Sequence, residues 1–260
     1  MPPVERQLIA GALERLDTLF MEIVEQTDAL LLSRVWERGS QDPVARTVFV
    51  ADSYPGQLED GGWSVGADTV VRRVWWQRPD CLRDEVRFGS ELLGVNVYRG
   101  ATAYSYSPQL GILYTNDSSM QGKRPRPWKR VPNLTLATVQ SELEQITLLQ
   151  PPFRTPGWEF MVVGGEQRVA GRPTLSIAAH RLEPRTSGHD WQWDGINHFT
   201  AVIDEQLGLP FRLAAMVDGT EAAVFSARAI RIDEPIPAHL FQLKPPRGAF
   251  VALVHPHAST

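Results

Sequence analysis

The sequence predicts an α+β fold: a strongly curved antiparallel sheet of about eleven strands, an open half-barrel, with helices packed on its concave side as a lid. Three observations predict it. Short alternating segments parted by tight turns fill most of the chain after residue 70. Two segments, residues 3–38 and about 136–149, carry apolar side chains at helical spacing. No repeat of fixed period is present. An open antiparallel sheet has one face to bury, and the two one-sided helices are the available cover. A single domain over residues 1–260 follows, with the sheet spanning 46–243.

The N-terminal helix rests on Ile9, Leu13, Leu16, Phe20, Ile23, Thr27 and Leu30, which recur at alternating steps of four and three. Leu8, Ala12, Leu19 and Leu31 widen that stripe. Gly39 and Pro43 end it. Strands are then expected at 46–51, 70–77, 81–88, 92–98, 102–107 and 111–115. The loops between the later ones carry Pro-Asp, Gly-Ser, Arg-Gly and Pro-Gln. Residues 53–66 and 122–130 read as loops, the second basic and Pro-rich. The second helix uses Val139, Leu143, Ile146 and Leu149, and Pro151-Pro152 stops it. Strands follow at 158–163, 173–183, 197–204, 210–217 and 222–231, with Asp218-Gly219 as a tight hairpin turn between the last two. The Pro-interrupted tail 235–241 ends in a short turn.

Bulk properties narrow the function. The chain has 260 residues and a net charge of −4, from 26 basic and 30 acidic residues. That balance argues against nucleic acid as a partner. One cysteine, Cys81, allows no internal disulfide and no Cys-rich metal site. No run reaches the ~18 apolar residues of a membrane span. No signal peptide is visible, which by itself points to the cytoplasm; removal of a leader would place the protein in the periplasm or elsewhere outside the cytoplasm.

Four stretches carry a family resemblance. They are Val74-Trp75-Trp76-Gln77-Arg78-Pro79-Asp80, the hairpin from Tyr98 to Pro108, Val202 to Leu213 with its Ile-Asp and Gly-Leu-Pro, and Phe241-Gln242-Leu243-Lys244-Pro245-Pro246-Arg247-Gly248. In this order they resemble the LolA-like superfamily of lipoprotein carriers, with its LppX-like and RseB-like relatives. The resemblance covers most of the chain. It implies an unclosed barrel of eleven strands, a helical lid and a hydrophobic cavity that holds acyl chains or other lipids without chemistry. It also implies that Arg78, as the Arg before the family's Pro, contacts the lid; an arginine's fixed donors suit such a latch. Segments 53–66 and 122–130 depart from the family pattern.

Strand parity supplies the candidate ligand-binding residues: Trp76, Leu82, Val86, Phe88, Leu93, Val95, Tyr104, Tyr106, Phe199 and Phe211. Of the two adjacent tryptophans, Trp76 is expected inward, because it shares a register with Val70 and Val74. The same residues serve equally as ordinary core. His180, His189 and His198 lie near Asp190 and Asp194, but their spacing fits no standard metal motif, so no metal and no cofactor is expected. No nucleophile elbow, phosphate loop or dinucleotide fingerprint is present, and no catalytic residue is assigned. The expected function is binding, with transport or sensing, of a hydrophobic small molecule or acyl chain, and a membrane-associated protein as a further partner. The alternative is an enzyme, a cyclase or similar, acting on an apolar biosynthetic intermediate in the same cavity, where orientation alone lowers a barrier.

Overall fold

The computed structural model describes residues 15–27, 70–117, 119, 158–182, 196 and 198–253. Among them strand dominates. Twelve strands are present: β1 (Thr18–Thr27), β2 (Val70–Gln77), β3 (Cys81–Phe88), β4 (Glu91–Arg99), β5 (Thr102–Ser107), β6 (Ile112–Thr115), β7 (Trp158–Val169), β8 (Arg172–Arg181), β9 (His198–Asp204), β10 (Pro210–Val217), β11 (Thr220–Ile232) and β12 (Phe250–Leu253). A 3-10 turn, Ala238–Phe241, precedes β12. The hydrogen-bonded order is β12-β6-β5-β4-β3-β2-β1-β11-β10-β9-β8-β7, an open sheet.

The N-terminal helix expectation is corrected at its centre: residues 18–27 are strand β1. The helical spacing of Leu16, Phe20, Ile23 and Thr27 coexists with a period of two, in which Leu19, Met21 and Ile23 are all buried. The sheet decides between them, because β1 lies between β2 and β11 in the hydrogen-bonded order. Its start is also tied to the end of β11: the Asp17 and Thr18 amides donate to Asp233 Oδ1, and the Asp233 amide donates to the Thr18 carbonyl. Tertiary pairing overrides local helical preference here. The rest of that expected helix, the expected helix at 136–149 and the expected strand at 46–51 lie outside the described residues. With them lies the expected lid.

Two compact units divide the described chain. One contains β7 to β10 and the first part of β11, to Ser226. Its strands pair antiparallel in sequence order. Trp158, Ile177, Ala179, Phe199, Ala201, Ile203, Leu213 and Ala215 are buried, and the register sets Ile177 opposite Ala201 and Phe199 opposite Ala215. Asp204 closes the β9–β10 turn: it accepts from the Gln206 and Leu207 amides and is ion-paired to Arg172. The turn between β10 and β11 has positive φ at both Asp218 and Gly219, the type I′ geometry that an Asp-Gly pair favours.

The other unit contains β2 to β6, β12, most of β1 and the end of β11. β2 to β6 form an antiparallel meander, and β12 adds in parallel to β6. This parallel strand is absent from the sequence-based expectation. The expected bounds of β2, β3, β5 and β10 coincide with the observed ones.

Candidate functional site

β3 separates two kinds of surface in the second unit. Register partners in a sheet share a face. On one face Trp76 pairs with Leu82, and Val74 with Asp84. Asp84 in turn pairs with Asn96, and Asn96 with Ser105. Leu19, Met21 and Ile23 belong to this face as well, because their neighbours on β1 point the other way: Phe20 meets Trp75 at 5.3 Å, and Glu22 meets Arg73. Val70, Val74, Trp76 and Leu82 are buried with them. This is the apolar face.

Asp84, Asn96, Ser105 and Arg72, the register partner of Val86, interrupt it. Asp84 is 3% exposed. Its Oδ2 accepts from Asn96 Nδ2 at 3.4 Å, and Oδ1 lies 3.7 Å from Arg72 Nε. Among the described residues, Oδ1 accepts no hydrogen bond. Burial pushes the Asp84 carboxyl above the usual range, against a smaller opposing pull from Arg72 and Asn96.

The opposite face is closed by charge pairs and by the chain's own tail. Arg83 pairs in register with Trp75 and Val97, and Glu85 with Arg73 and Val95. Arg83 Nε donates to Glu85 Oε1 at 2.8 Å, and Nη1 donates to the Leu240 carbonyl at 3.0 Å. That second bond fixes the 3-10 turn, whose Phe241 is buried. The Arg83 guanidinium lies 5.9 Å from the Trp75 ring, and Arg231 stands 4.3 Å from that of Phe20. Glu22 receives Arg73 at 2.7 Å and Arg228 at 3.6 Å. Tyr104 donates to Asp117 at 2.7 Å, and its phenol is pushed up to about 12, first by burial and then by that carboxylate.

The predicted ligand residues therefore divide. Trp76, Leu82, Val86 and Phe88 share the apolar face. Val95, Tyr104 and Tyr106 share the opposite face, together with Trp75 and Arg83. Leu93 falls at the bulge where the β3–β4 register shifts. Phe199 and Phe211 are buried in the first unit, where Phe199 packs edge-on to Trp158 at 5.1 Å. Trp76 is buried with Val70 and Val74, and Trp75 is half-buried. Arg78 contacts the start of β1: its amide donates to the Asp17 carbonyl at 2.9 Å, and its Nε lies 4.0 Å from Asp17 Oδ1. Sequence reading missed Asp84, Asn96 and the β1 residues. The available signal was the acidic residue placed in register with Leu82, Val86 and Phe88 on an otherwise apolar strand face.

No family model and no curated protein matches the chain. Among solved structures, an uncharacterized conserved protein from Thermus thermophilus is similar at a TM-score of 0.46 and 9% identity, over 96% of this chain and 97% of that one. A chain of the Pseudomonas aeruginosa MucA/MucB complex is similar at 0.43 and 12% identity, over 92% of this chain and 60% of that one. The Mycobacterium tuberculosis lipoprotein LppX is similar at 0.42 and 12% identity, over 90% and 95%. LppX-like proteins are among those that the four sequence motifs resemble. Among the described residues no helix is long and apolar enough to cross a membrane.

Proposed function

We propose that this protein binds a lipid-like hydrophobic ligand against the face of β1 to β3 that carries Leu19, Met21, Ile23, Val74, Trp76 and Leu82. One observation carries the reading: a buried, mainly apolar face keeps a single carboxyl group, Asp84, beside Arg72 and Asn96, and its Oδ1 accepts no hydrogen bond among the described residues. Ligand sites have this composition, mostly apolar with few polar groups that fix orientation. A buried acceptor without a donor costs about 1–3 kcal/mol, which a bound donor would offset. A hydroxyl or ammonium on an amphiphilic ligand would satisfy Oδ1 while its chain covers Trp76 and Leu82. The resemblance of the four sequence motifs to lipid carriers supports the same reading.

Val86 and Phe88 extend the face toward the β3–β4 turn in this proposal. Arg78 acts as the contact of a lid, and Phe199 and Phe211 form a separate apolar cluster. The ligand is carried or sensed rather than converted. The protein works outside the cytoplasm, alongside a membrane-associated protein partner. The test is native mass spectrometry and solvent extraction of the protein purified without detergent. The expected result is a co-purifying amphiphile, released on unfolding and absent from a Trp76→Ala/Leu82→Ala variant. A chain that carries none, and that takes up no long-chain fatty acid or phospholipid after delipidation, overturns the proposal.

A further inference from the structure

A second cluster lies in the first unit and has no part in the proposed lipid site. His180 stands near the end of β8 and His198 begins β9. They are eighteen positions apart in the chain but direct partners across the two strands. Their Nδ1 atoms are 3.2 Å apart, and the ring planes meet at 85° with centroids 4.3 Å apart. His180 is exposed and His198 half-buried, so the pair is open to solvent.

We infer that His180 and His198 form a two-histidine chelate for a transition-metal ion of the Zn2+, Ni2+ and Cu2+ class. The separation fits. A metal held ~2.0–2.1 Å from each nitrogen, the usual metal–imidazole distance, subtends an angle of about 100° across 3.2 Å, between the octahedral and tetrahedral values. A small turn of the rings aims both lone pairs at that point in place of the single hydrogen bond they now allow. Neutral imidazole is the form that coordinates. Imidazole ligands suit Zn2+, Ni2+ and Cu2+, and Cu2+ binds most tightly of the three. Among the described residues no group of three or more His, Cys, Asp or Glu gathers to hold a metal. The absence of a metal motif from the sequence is consistent with this, because strand register brings the two rings together and spacing does not.

Calorimetric titration of the full chain with Cu2+ and, separately, with Zn2+ tests the site at about pH 7.5, where imidazole is largely neutral. One ion should bind per chain, with Cu2+ the tighter. Binding should weaken about 100-fold or more in His180→Ala and in His198→Ala, since even the loss of a ligand's supporting partner costs about 10–100-fold. It should persist in a His255→Ala/His257→Ala double variant, which removes the histidines of the C-terminal His-Pro-His. Electron paramagnetic resonance of the Cu2+ form should show two nitrogen ligands, and one in either single variant. Because His180 is exposed, His180→Ala decides the matter even if His198→Ala does not fold. Absence of binding by the native chain, unchanged binding by His180→Ala, or loss that follows His255 and His257 overturns the inference.

Discussion

Asp84 and Glu85 are neighbours on β3 and point to opposite faces of one sheet. Glu85 is held by Arg83 on its own strand and has Arg87 at 3.9 Å. Asp84 has a weak bond from Asn96 and a guanidinium at 3.7 Å. Two carboxyl groups one peptide apart thus meet opposite treatment. The face of Glu85 is built of ion pairs, cation–aromatic contacts and a 3-10 turn seated by Arg83, and among the described residues Arg87 Nε on it makes no hydrogen bond. The face of Asp84 is mainly apolar, and among the described residues Asp84 Oδ1 accepts no hydrogen bond. The two faces differ in how much charge they carry, and hydrophobicity alone does not separate them, since both bury valines, leucines or isoleucines.

The comparison breaks most readily at Phe241. Phe241→Ala should destabilise the protein by about 3–5 kcal/mol, as for a buried aromatic, because it unseats the turn that closes the structural face. Urea unfolding measures this, and uptake of a fatty acid by the folded fraction should be unchanged. Next in size is the Arg83–Glu85 pair, whose side chains are 14% and 13% exposed. A double-mutant cycle with Arg83→Gln and Glu85→Gln should give a coupling of about 1–2 kcal/mol. A coupling near zero would mean that the structural face does not depend on its charges.

Asp84→Asn should act in the opposite direction, raising stability at neutral pH by roughly 1 kcal/mol. The sign follows from linkage. The folded protein holds the Asp84 proton more tightly than the unfolded chain does. Stability therefore falls as pH rises from about 3.9, where the unfolded carboxyl ionises, through the raised folded pKa, and stays lower above it. The native chain should lose stability across that window and Asp84→Asn should not. Urea unfolding from about pH 3.5 to 8, which brackets the unfolded value, checks it. The same variant should weaken ligand binding, so that stability and function part company at this residue alone.

Much of the sheet is legible in the sequence, because a period of two between turn pairs is a local signal. The bounds of β2, β3, β5 and β10 come from alternation with Arg-Pro, Gly-Ser, Arg-Gly and Gly-Leu-Pro at their ends. β1 is not legible, because the segment TLFMEIVEQT satisfies both periods and the choice belongs to its hydrogen-bonded neighbours. β12 is four residues long and pairs in parallel with a distant strand, so no hairpin signal announces it. The site was half legible. Trp76, Leu82, Val86 and Phe88 share a face by parity within β2 and β3. Joining Val95, Tyr104 and Tyr106 to them needed the register between strands, and that register sets these three on the other face. The His180–His198 pair is a product of register in the same way.

Quenching of tryptophan fluorescence by a brominated fatty acid, compared between Trp76→Phe and Trp75→Phe, tests the central claim directly. Bromine quenches only rings that it approaches, so the difference between the two variants reports the face that the ligand covers. Quenching present in the native chain should fall sharply in Trp76→Phe and persist in Trp75→Phe. Quenching that persists in Trp76→Phe and is lost in Trp75→Phe, or that is the same in both, contradicts it.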